Sequence, residues 1–192
     1  MQKVICLGAH KTWTTSLTQA MRMLKFKNCP ETFWYNSLKI QNEVIKENNY
    51  SSIINCIKSG KYDFFEDSPF NMGTIYIDIF KNFPDALYIL TLRDPENWVN
   101  SFIRWSVIKS TVMSNERLEF AYNARLPLKN HKSKLVAGYI KRNQEIIDFF
   151  KLNGGKLLMI DFEKERNPWQ KLCEFLGKPE PKTVFPHCNR TK

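Results

Sequence analysis

The sequence lacks most of the signals that would assign it at a glance. Its five cysteines stand far apart, at Cys6, Cys29, Cys56, Cys173 and Cys188, and no two form a C-x-x-C pair. An odd number of scattered thiols argues against a disulfide-stapled secreted fold and for a reducing, cytoplasmic compartment. There is no apolar run of the roughly 18 residues that a membrane-spanning helix needs. The N-terminus offers one short apolar strand before polar residues, which is not the pattern of a signal peptide. Basic residues are not gathered into a block, so no nucleic-acid-binding tail is visible, and no zinc-finger spacing accompanies them. The three histidines, His10, His131 and His187, share no metal-ligand spacing. Internal repeats and low-complexity segments are missing too.

What is present suits a folded enzyme or binding domain. The chain has 192 residues, 43% of them hydrophobic, enough for a single domain over residues 1–192 with a substantial core. Fourteen Phe, seven Tyr and five Trp exclude a disordered tail. The formal net charge of +10 favours anionic partners such as acidic glycans or phosphorylated small molecules. With no recognition motif beside it, the charge implies no specific nucleic acid.

The apolar pattern alternates strands with helices. Strands are expected at about residues 3–7, 62–65, 87–92 and 156–160. Helices are expected from Thr14 or Thr15, over 38–48, 51–58, 75–83, 96–111, 115–123 and 133–152, and after Asn167 with Pro168 at its first position. Gly60, Gly154-Gly155 and Gly177 read as stops. Asp94 reads as a helix N-cap. Short apolar strands between helices predict an α/β fold, three layers with a central parallel sheet. Lys11, Asp67 and Arg93 each follow a strand, so right-handed crossovers bring them to one sheet edge.

The richest segment is Gly8-Ala9-His10-Lys11-Thr12-Trp13-Thr14-Thr15-Ser16. A strand, a glycine turn and a hydroxyl-rich helix start make an anion site. A standard phosphate loop reads G-x-x-x-x-G-K-[ST], and here the glycine before the lysine is missing. A plain surface loop capped by hydroxyls is the bland alternative. The second segment, Leu92-Arg93-Asp94-Pro95 with Ser101 two helical turns on, places a guanidinium at a strand end. There it can make bidentate bonds to phosphate.

These two segments, in this order, resemble the sulfotransferase family that uses 3'-phosphoadenylyl sulfate (PAPS). A third stretch resembles its small-protein branch. It runs from His131 through Val136, Tyr139, Arg142, Trp169, Leu172 to Gly177 and Phe185-Pro186 to Asn189. The resemblance implies a P-loop NTPase-like sulfotransferase fold, PAPS as co-substrate, adenosine 3',5'-bisphosphate (PAP) as product, and no metal. It implies donor contacts from His10, Lys11, Thr12, Trp13, Thr14, Thr15 and Ser16, and a 3'-phosphate site at Arg93 and Ser101. Lys11 would neutralise the leaving phosphate. Trp13 stands where the family has glycine, a costly exchange if that position needs positive φ.

Sulfuryl transfer also needs a base. Asp67, two residues before Pro69, is the first expectation and Glu66 the second; His10 and His131 are alternatives. Trp34, Trp105, His131, Tyr139 and Arg142 are candidate contacts to a small-molecule or glycan acceptor. A small-molecule kinase and a non-catalytic nucleotide or polyanion binder remain alternatives.

Overall fold

A computed structural model describes residues 2–108 and 114–188. Four strands, β1 (Val4–Cys6), β2 (Phe64–Phe65), β3 (Leu87–Thr91) and β4 (Lys156–Ile160), form a sheet of order β2-β1-β3-β4. Every pairing is parallel. The helices are α1 (Thr14–Met23), α2 (Thr32–Tyr35), α3 (Leu38–Ile45), α4 (Ser51–Lys58), α5 (Ile75–Asn82), α6 (Pro95–Ile108), α7 (Asn115–Tyr122), α8 (Lys132–Asn153) and α9 (Pro168–Leu176).

Strand alternation sorts side chains to two faces. Ile5, Leu7, Phe65, Tyr88 and Leu90 pack under α3, α4, α5 and the end of α8. Val4, Cys6, Phe64, Leu87 and Ile89 pack with Leu17 and Met21 of α1 and Trp169 and Leu172 of α9. A third cluster joins Trp98 and Phe102 of α6, Leu118 of α7, and Leu135 and Tyr139 of α8. This is the expected three-layer α/β arrangement.

The element ends differ in detail from the sequence reading. β1 is three residues long, yet ladder bonds continue past it, from Leu87 N to Lys3 O and from Leu7 N to Ile89 O. β2 keeps only Phe64 and Phe65; Asp63 instead turns its buried carboxylate to the Lys27 amide. Asp94 accepts from Asn97 N at 3.0 Å and Asn167 from Gln170 N at 3.3 Å, so both expected N-caps are present. Sequence periodicity missed α2 and the 3-10 turn Leu128–His131. The expected end of α6 at residue 111, and Asn189, lie outside the described residues.

Candidate active site

Between β1 and α1 the chain presses against β3. A Cβ at position 8 would stand 1.8 Å from Thr91 Oγ1, so only glycine fits. Thr12 Oγ1 donates to Ala9 O at 2.6 Å and lies 2.5 Å from Thr91 Oγ1. The neighbouring carbonyls are also taken. Arg142 donates to Leu7 O at 3.0 Å, Asn71 to Gly8 O at 3.1 Å, Trp98 Nε1 to His10 O at 2.9 Å and Arg93 to Lys11 O at 3.2 Å. With five consecutive carbonyls held inward, the loop offers an anion its side chains and the positive end of α1.

Lys11 and Trp13 both adopt left-handed backbone, with φ 69° and φ 70°. At residue 13 this is a conformation that glycine adopts without the cost a side chain adds. Here the indole compensates by packing on Phe162 and, at 4.2 Å between ring centroids, on His187. Ser16 Oγ accepts from Cys188 N at 3.0 Å, so the C-terminal segment runs beside the loop.

The loop borders a cleft of about 720 Å³. One end is lined by Lys11, Thr14, Thr15, Ser16, Arg93 and Ser101. Arg93 is set in place by Tyr139, whose hydroxyl accepts from Arg93 N at 3.0 Å. Its guanidinium pairs with Glu163 at 2.8 Å, and its Nε is buried without a partner among the described residues. Burial and the charges of Arg93 and Arg104 lower the Lys11 pKa. Three cations crowded around an orphaned N–H fit a polyanion.

The other end holds an unforeseen triad. His10 Nε2 pairs with Asp67 and lies 3.2 Å from Ser68 Oγ, while Nδ1 meets the Tyr122 hydroxyl. Trp105 stacks on the imidazole at 5.4 Å. Burial pushes the Asp67 carboxyl up, but the charge and hydrogen bond of His10 and the Ser68 amide outweigh it and hold it below its ordinary value. Burial, and then the Asp67 charge, push Glu66 up to about 8. Carboxylate oxygens of Glu31, Glu66 and Asp67 lie within 4.8 Å of one another, the place where a cation could be held.

Of the residues expected at the site, His10, Lys11, Trp13, Thr14, Thr15, Ser16, Asp67, Arg93, Ser101 and Trp105 line the cleft together. Others do not, for physical reasons. Trp34 is fully buried in the core and forms no acceptor wall. Thr12 spends its hydroxyl on Ala9 and Thr91, which also removes the metal-holding hydroxyl of the kinase reading. Tyr139 and Arg142 bond backbone groups behind the cleft. His131 closes the turn before α8, away from the lining. The Oε2 of Glu66 is buried, behind Asp67 rather than in the lining. Sequence reasoning missed Arg104, Arg117 and Tyr122, which lie within helices and belong to no spacing motif, and Glu163, which stands three residues past the end of β4.

A parallel sheet between two helical layers, with a phosphate-type loop between its first strand and helix and a second cation after β3, is a P-loop-like anion-binding fold. The sequence matches the family described as sulfotransferase domain over residues 3–192. The chain belongs to this sulfotransferase family. No curated protein matches it.

Proposed function

We propose that the protein transfers a sulfuryl group from PAPS to a hydroxyl or amine of a small-molecule or glycan acceptor, releasing PAP. The observation that carries this reading is the cation cluster of Lys11, Arg93 and Arg104 around the α1 start, with an Arg93 Nε–H that has no partner among the described residues. PAPS supplies an activated sulfuryl group on a phosphate leaving group. Thr14, Thr15, Ser16 and the first amides of α1 suit the 5'-phosphate. Arg93 and Ser101 suit the 3'-phosphate, and Lys11 meets the charge that develops on the leaving phosphate.

His10, held by Asp67, is the basic group beside Lys11. An Asp67 carboxyl already held below its ordinary pKa is a poor direct base, so Asp67 acts here by orienting His10. The pathway needs no metal. The odd number of cysteines, five, scattered without a C-x-x-C pair, favours a reducing, cytoplasm-like setting. Among the described residues no helix is long and apolar enough to cross a membrane.

Calorimetry with PAP tests the donor site. Wild type binds, and Arg93→Ala weakens binding about 10- to 100-fold, the worth of a charge-assisted bond. Equal affinity for PAP and AMP in wild type would remove the 3'-phosphate site. The strained Trp13 favours one second reading, a binder without turnover. PAP binding with no PAP released from PAPS by any acceptor would point to it.

A further inference from the structure

Resting on the sulfuryl-transfer reading, we propose that Tyr122 is a catalytic residue. Its hydroxyl receives the acceptor's proton and passes its own to His10. Both ring nitrogens of His10 are already occupied. Asp67 and Ser68 take the Nε2 side, and the Tyr122 hydroxyl takes Nδ1. A carboxylate on Nε2 fixes the hydrogen there, because a carboxylate only accepts. Nδ1 then carries the lone pair, and the Tyr122 O–H points its hydrogen at it. No lone pair of the imidazole remains open to the cleft. Tyr122 lines the cleft with His10 and Lys11, and its oxygen, which accepts only a long bond of 3.4 Å from His10 N, keeps acceptor capacity for a second proton donor.

The rings are held for this task. Phe102 lies 4.6 Å from the Tyr122 ring, and Trp105 covers the His10 ring. Burial pushes the Tyr122 pKa well above its ordinary value, so the phenol rests protonated and can only exchange one proton for another.

The step balances. The acceptor oxygen bonds to sulfur while the sulfur–oxygen bond to the 5'-phosphate breaks. The acceptor proton moves to Tyr122 Oη as the phenolic proton moves to His10 Nδ1. The imidazolium that results is paired with Asp67, and Lys11 neutralises the charge gained by the phosphate. The proton later leaves His10 for solvent.

Nitrogen-15 NMR of the histidine rings in the full chain tests this without turnover, His10→Gln assigning the signal. The expected result is a neutral ring protonated on Nε2, with an Nδ1 resonance that moves in Tyr122→Phe. The same substitution lowers kcat about 100-fold with PAPS and 2-naphthol, leaving PAP affinity within about twofold of wild type. A ring protonated on Nδ1 in wild type overturns the proposal, whatever the variant does. So does a Tyr122→Phe kcat within about twofold of wild type. Wild type that fails to bind PAP would sink the donor reading instead, while the ring signal still decides the relay.

Discussion

At position 8 the loop tolerates no side chain, because the obstacle is the Thr91 hydroxyl on the neighbouring strand. Gly8→Ala is expected to destabilise by about 2–3 kcal/mol, the cost of forcing atoms into a packed site, read by urea unfolding. Thr91→Ala in the same chain should restore part of the loss, giving a coupling of roughly 1 kcal/mol in the double-mutant cycle. An additive result would place the strain elsewhere. Trp13 shows the opposite balance: left-handed backbone costs a side-chain-bearing residue about 1–2 kcal/mol, and ring contacts with Phe162 and His187 offset it. Gly8, Lys11, Arg93 and Ser101 were legible because each sits at a fixed offset from a strand end. Tyr122 was not. It meets His10 across 112 positions, and no spacing rule along the chain reaches that far.

Helix α8 was legible as an element, from its apolar period and the Gly154-Gly155 stop, but its duty was not. Tyr139 and Arg142 face the right region, yet they bind backbone rather than ligand. Arg142 ties α8 to Leu7 O and, at 2.6 Å, to Asn71 O, so one side chain braces both segments that carry the site. Arg142→Met keeps the stem and leaves two buried carbonyls unpaired. Its expected cost is about 2–4 kcal/mol, measured by thermal unfolding; a change under about 0.5 kcal/mol would mean that the brace is dispensable. By contrast α2 escaped the sequence reading because four residues are too few to show a helical period. β2 shrank because Asp63, buried for its bond to the Lys27 amide, interrupts the apolar run.

Over the whole molecule the layers were legible, since strand and helix alternation dictates a covered parallel sheet. The division of charge within the cleft was not. Lys11, Arg93 and Arg104 gather at one end, Glu31 and Asp67 at the other with Glu66 buried behind them, while composition reported only the sum of +10. Burial of Glu66, with the Asp67 charge beside it, makes stability depend on pH. Glu66 has its pKa raised from 4.5 to about 8, so between these values the folded state binds more protons than the unfolded one. Its contribution is fully present below pH 4.5 and is lost as pH rises through 8. Glu66→Gln should therefore gain on the order of 2 kcal/mol over wild type above that range and match it in acid, as denaturant titrations at both ends would read. A gain that is the same at every pH would show that the carboxyl does not titrate there.

Trp13 also has an optical consequence. Its indole lies against the His187 imidazole at the lip of the loop and that of Trp105 against His10, whereas Trp34, Trp98 and Trp169 are buried. A protonated imidazole quenches the excited state of an adjacent indole, and enclosed indoles are spared. With Trp105 replaced by phenylalanine, ultraviolet emission from this residue is thus a gauge of whatever enters the loop or shifts the C-terminal segment beside it, fitted by the sequence itself and needing no dye.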